Sequence, residues 1–216
     1  LFLGDYQAVL VRLRQRFAGK PLFRLGHSAG AALALHVAAT SPGALAGVIL
    51  VNPAYRMIYS EGMGPSFGDY VTYAANVIFR PAALTVDMNS DPSKVKHDLD
   101  RAEAIAMQGD PLVVRHFSMR YLLAQKKIMD RSAVNIALTN APVLLVQGAG
   151  DALVDPMGDD ELFAQAGNRD RVRLVAPSGG HGSSAVESMI SPVVDWLSCR
   201  ARPGTQPGGD RTCPQD

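Results

Sequence analysis

Apolar positions in this chain follow two alternating rhythms. In residues 5–17 they recur at Tyr6, Val9, Leu10, Leu13 and Phe17, the spacing of an amphipathic helix, and Ala18-Gly19-Lys20-Pro21 ends it. Residues 22–25 read as a short buried strand. Residues 29–40 read as a helix of small apolar residues, stopped by Ser41-Pro42-Gly43. Residues 45–51 form the next predicted strand, closed by Asn52-Pro53. The alternation then breaks between 55 and 140. That segment contains Met and Tyr, is interrupted by Gly and Pro, and shows helical stripes without any strand pattern. Tyr70, Tyr73, Ala74, Val77 and Ile78 share one face of a helix over 69–79, and 98–107 and 111–129 are further helices. The alternation resumes with a strand at 141–147, a loop Gly148-Ala149-Gly150-Asp151, and a helix opened by the capping pair Asp155-Pro156. A strand at 171–176, a Gly-rich loop through His181 and a final helix at 185–197 complete it. Beyond Arg202, Pro, Gly and Gln predict a disordered tail.

Strands alternating with helices predict an α/β fold, a mostly parallel sheet with helices on both faces. In such sheets chemistry gathers in the loops at the carboxyl ends of the strands. One of those loops carries Gly26-His27-Ser28-Ala29-Gly30, between the first predicted strand and the helix after it. The bare G-x-S-x-G pattern arises by chance in roughly one chain in fifteen of this length. Between a strand and a helix it reads as the nucleophile elbow of a serine hydrolase. Gly26 and Gly30 are expected to be small because the turn is tight. The Ala29 N–H, at the start of the helix, is placed to hold an oxyanion.

A serine needs a base, and the base needs an acid to orient it. His181 and Asp151 each follow a predicted strand, as Ser28 does. Among the other histidines, His27 is expected to point away from Ser28, His36 lies within a helix, His97 sits among charges and reads as solvated, and His116 lies in the helical segment. Asp155 reads as a helix cap beside Pro156, and Asp159 and Asp160 as first-turn residues favoured by the helix dipole.

Composition narrows the rest. A chain of 216 residues with net charge +1 has no basic footprint for nucleic acid. No apolar run is long enough to span a bilayer. Cys199 and Cys213 match no zinc spacing and read first as two separate thiols, with a disulfide tying down the tail as the alternative. No metal or organic cofactor is expected.

The elbow, the run Val146-Gln147-Gly148-Ala149-Gly150-Asp151-Ala152-Leu153-Val154-Asp155 and the loop Gly179-Gly180-His181-Gly182 resemble the α/β-hydrolase family. The resemblance is to its capped branch of monoacylglycerol lipases and lysophospholipase-like, serine-aminopeptidase-like enzymes. The order serine, acid, histidine is that family's order. The resemblance implies a hydrolase core over 1–54 and 141–200, a mainly helical cap insertion over 55–140 and a tail over 201–216. It also implies strands ahead of residue 1 and a His-Gly loop giving a second oxyanion donor. No such motif precedes Ser28, so an N-terminally truncated fragment is expected, and any targeting segment would lie upstream. The compartment is therefore open, with the cytoplasm the first choice.

The implied activity is ester hydrolysis through an acyl-enzyme on Ser28, His181 and Asp151. The implied substrate is a small ester with an apolar acyl chain, taken into a pocket that the Met and Tyr side chains of the cap would line. A membrane surface is a weaker candidate partner, through Tyr70, Tyr73 and Val77. A peptidase, amidase or thioesterase on the same residues, or a non-catalytic fragment, are the alternatives. Oligomeric state is not specified.

Overall fold

The computed structural model describes residues 2–58, 67–87, 92–95 and 97–201. The chain runs α1 (Phe2–Arg16), β1 (Phe23–His27), α2 (Ala29–Thr40), β2 (Gly47–Val51), α3 (Phe67–Phe79), β3 (Leu84–Asp87), α4 (Asp98–Gly109) and β4 (His116–Ser118). It continues α5 (Met119–Met129), α6 (Ser132–Leu138), β5 (Val143–Gly148), α7 (Pro156–Ala164), β6 (Arg171–Ala176), α8 (Ser184–Glu187) and α9 (Ile190–Arg200).

Strands β1, β2, β5 and β6 form one parallel sheet in that order. Leu25 lies level with Ile49, Ile49 with Leu144, and Leu144 with Val172. The pleat sends alternate residues to opposite faces. Val48, Leu50 and Val143 pack with Ala31, Ala34 and Leu35 of α2, Ile136 of α6 and Leu162 of α7. Ile49, Val51, Leu144 and Val146 pack on the other face with Ala185 of α8 and Val193 and Trp196 of α9. The central strands are covered on both sides, which is why they read as continuous apolar runs. Each fully buried Val or Leu contributes roughly 1.5–3 kcal/mol, so these two layers supply most of the framework beneath the strand ends. This is the α/β-hydrolase architecture.

Several local features depart from the sequence reading. The apolar stripe of α1 is only partly used: Tyr6 and Leu10 are half-buried, while Val9, Leu13 and Phe17 stay exposed. Among the described residues β1 has a strand neighbour on one side only, so α1 covers a sheet margin. The segment between β2 and β5 is not free of strands. β3 and β4 pair antiparallel, with Asp87 opposite His116. This ribbon is short and largely exposed, so it produces no apolar run, and the helix expected from residue 111 starts only at Met119. There Ser118 caps it, its Oγ accepting the Tyr121 N–H at 3.2 Å.

The final helix is two helices. Pro192 lies in the first turn of α9; in one continuous helix its ring would meet the carbonyl of Ser188, four residues back. Cys199, expected as a thiol, is disulfide-bonded; Cys213, the side chain of Tyr70 and the tail beyond residue 201 lie outside the described residues. On α3, Val71, Val77, Ile78 and Phe79 are exposed. Among the described residues no helix is long and apolar enough to cross a membrane.

Candidate active site

The turn from β1 to α2 is built on a steric requirement at one glycine. A Cβ on Gly26 would press on the carbonyl of Gly30 and lie 2.7 Å from the Ala31 Cα. Gly30 has no matching requirement: a Cβ there would meet nothing within 4 Å. The turn closes against residue 26, while a Cβ on residue 30 would stand in open space. Ser28, between them, has φ 53° and ψ −123°, a strained backbone for a residue with a side chain. Its backbone is clamped, since its N–H donates to the Val51 carbonyl at 2.9 Å and its carbonyl accepts from Ala31 and Ala54. Ser28 occupies the cap position of α2, yet its hydroxyl caps no helix amide. That leaves Oγ free to reach across the strand ends. Ala29 opens α2, so its N–H is one of the amides with no partner inside the helix.

The structure brings Ser28, His181 and Asp151 into one line. Ser28 Oγ lies 3.0 Å from His181 Nε2, and His181 Nδ1 lies 2.8 Å from Asp151 Oδ2. The Asp151 side chain is buried, and its other oxygen accepts the N–H groups of Leu153 at 2.8 Å and Val154 at 2.9 Å. Those two bonds fix the carboxylate, which is acceptor-only when ionised. The imidazole must then carry its proton on Nδ1, leaving the Nε2 lone pair towards the serine hydroxyl. Proton transfer from Ser28 is within reach.

The loop holding His181 is tied from two directions. Asn52, fully buried at the end of β2, donates through Nδ2 to the carbonyls of Gly180 and His181, both at 2.9 Å. Its Oδ1 accepts the Gly148 N–H at 2.8 Å. Asn52 thereby joins three strand ends, in a left-handed conformation (φ 42°) that asparagine tolerates better than most residues. His27, expected to point away from Ser28, reaches the same loop. Its Nε2 is 2.5 Å from the His181 carbonyl, and the two rings are 5.0 Å apart. A carbonyl only accepts, so His27 carries a proton on Nε2. From the other side, Asp100 of α4 accepts the N–H groups of Gly182 at 3.0 Å and Ser184 at 3.2 Å. Sequence reasoning missed Asn52 and Asp100. The only signal was an Asn-Pro strand end and an acid in a helix's first turn, both commonplace.

The rival acids separate clearly. Asp155 caps α7, accepting the Met157 N–H at 3.0 Å, and pairs with Arg56 at 2.7 Å. Asp159 is in the first turn of α7, but it is not a solvated dipole partner. It is buried, one oxygen has no hydrogen-bond partner, and burial, reinforced by the charge of Asp151, pushes its carboxyl up to about 8. His97, expected in solvent, is half-buried with Nδ1 unpartnered. The His36 imidazole is held below its usual range by burial and by Arg131. Among the described residues there is no cluster of three metal-ligating side chains.

Residues 1–184 match the family described as serine aminopeptidase, S33. The chain is 26% identical to the human monoglyceride lipase over 186 residues, covering 84% of this chain and 58% of that one. The chain thus spans well under two thirds of that relative's length. Among solved structures, the monoacylglycerol lipase of Paleococcus ferrophilus superposes with TM-score 0.73 at 22% identity, covering 92% of this chain and 74% of that one. A soluble variant of the monoglyceride lipase of Saccharomyces cerevisiae, in complex with a substrate analogue, also gives 0.73, at 18% identity, covering 93% and 68%. These likenesses show the fold.

Proposed function

The chain belongs to the serine aminopeptidase (S33) family of α/β-hydrolases, and we propose that it hydrolyses carboxylic esters bearing one acyl chain, of the monoacylglycerol or lysophospholipid kind. The observation that carries this reading is the hydrogen-bonded line from Ser28 Oγ through His181 to a buried, pre-oriented Asp151. The likeness to monoglyceride lipases supports the choice of substrate class.

In this mechanism Ser28 attacks the ester carbonyl as His181 Nε2 takes its proton. Asp151 stabilises the imidazolium without taking the proton itself. The Ala29 N–H, at the positive end of α2, holds the developing oxyanion. His181 returns the proton to the leaving alcohol, and water releases the acid by the same route. The strained backbone of Ser28 supports the reading, because such strain persists where the surrounding structure holds a side chain in a working position.

The test is turnover by the purified chain of a long-chain 1-monoacylglycerol, a lysophospholipid and an aminoacyl anilide, beside Ser28→Ala. Turnover of the first two, lost in the variant, is expected. Faster turnover of the anilide would replace the ester reading with a peptidase one. Absence of turnover by folded protein would overturn the proposal for this stretch of chain.

A further inference from the structure

The loop 179–184 carries its polar groups in two sets. The carbonyls of its first three residues are satisfied by donors from the sheet side: Asn52 Nδ2 on Gly180 and His181, His27 on His181, and the Gly150 N–H on Gly179 at 2.8 Å. The amides of residues 182–184 are satisfied by acceptors from α4, in the segment inserted between β2 and β5. Asp100 takes the N–H of Gly182 and of Ser184, and Glu103 Oε2 takes that of Ser183 at 3.2 Å. The Gly180 N–H goes to the Ser184 hydroxyl at 2.7 Å. Asp100 is a buried carboxylate at the centre of this arrangement. Burial alone would raise its carboxyl. The Gly182 N–H, the Ser184 hydroxyl and N–H, and nearby His97 outweigh burial and hold it below the usual range.

The glycines flanking His181 have their reason here. A Cβ on Gly180 would occupy the position of Asp100 Oδ2, and one on Gly182 would lie 2.6 Å from Oδ1. The loop is bare on both sides of the histidine so that a carboxylate from another part of the chain can enter.

We propose that Asp100 is a positioning residue for His181. It clamps the histidine loop from the inserted segment, so that the Ser28–His181 distance depends on α4 being docked. This rests on the reading of His181 as the base. A purely structural Asp100 would change how much protein folds; a positioning one changes what each folded molecule does.

The experiment compares the full chain with Asp100→Asn, Glu103→Gln and Asp98→Asn. Asp98 is a control on the same helix, exposed and paired with Arg101. Asn fills the space of Asp but turns one acceptor into a donor facing an N–H. Monoacylglycerol kcat per folded molecule should fall about 30-fold in Asp100→Asn, whose bonds are the more buried, and about threefold in Glu103→Gln, whose bond is exposed, with KM within twofold and Asp98→Asn unchanged. The proton NMR signal of His181 Nδ1–H, bonded to Asp151, should shift or broaden in Asp100→Asn, whether or not the chain turns over any ester. An inactive parent with that signal perturbed would sink the ester reading and keep the clamp. An unaltered signal and kcat in folded Asp100→Asn would overturn the clamp. Should Asp100→Asn not fold, the Glu103→Gln signal and kcat decide in the same way.

Discussion

Replacing Asn52 isolates what fixes the geometry of the strand ends. Its side chain makes three hydrogen bonds at 2.8–2.9 Å from a fully buried position. Removal leaves the buried Gly148 N–H and Gly180 carbonyl without their Asn52 bonds, while the His181 carbonyl keeps His27. An unsatisfied buried group costs about 1–3 kcal/mol, so Asn52→Gly should lose on the order of 3 kcal/mol. Asn52→Ala should lose about 1 kcal/mol more, because alanine adopts φ 42° less readily. Such losses are a large share of a typical stability of about 5–15 kcal/mol. Asn52→Asp keeps the acceptor for Gly148 but points an oxygen at two carbonyls. Its carboxyl is expected to be raised in the folded state, so the variant should be most stable in acid and weaken as pH rises. Urea unfolding at acid and alkaline pH, followed by fluorescence of the single, buried Trp196, measures all three. A loss below about 1 kcal/mol in Asn52→Gly would refute the reasoning, since water would then be replacing the side chain at no cost.

Asp159 has a folded-state pKa of about 8 against an ordinary 3.8. The native state therefore holds a proton that the unfolded chain gives up, and stability should fall as pH rises from about 4 to about 8, then level off. Asp159→Asn should remove that slope and gain on the order of 3 kcal/mol at pH 7, read from denaturant midpoints across the pH range; a parallel slope in the variant would exclude Asp159 as its source. Gly26→Ala should cost about 2–3 kcal/mol by overpacking the turn, whereas Gly30→Ala should be neutral or gain up to about 1 kcal/mol as a helix substitution. Equal thermal shifts in the two glycine variants would contradict the steric asymmetry between them.

What the sequence disclosed divides along one physical line. The elbow was legible because its constraint is local: a serine between a strand and a helix, with a glycine two residues before it where no Cβ fits. The central strands were legible because burial on both faces leaves an unbroken apolar run. Asp151 and His181 could be picked by their places after strands, although no periodicity foretold the 2.8 and 3.0 Å contacts. The frame around them was not legible. Asn52 and Asp100 act across 128 and 82 residues of chain, and neither spacing nor propensity carries such pairings. The His27 bond was not legible because its partner, the His181 carbonyl, is 154 residues away along the chain. Asp159 reads as a first-turn acid in the sequence, and its burial comes from the packing of α7. The β3–β4 ribbon escaped because its strands, four and three residues long and exposed or half-buried except at Val86, make no strand pattern.

The most direct test of the account is fluorophosphonate labelling of the folded chain beside Ser28→Ala and His181→Ala. An activated serine held by His181 predicts labelling of the parent, none in Ser28→Ala and a rate reduced at least 100-fold in His181→Ala. Labelling of the parent that persists at full rate in His181→Ala, or no labelling of folded parent at all, would contradict it.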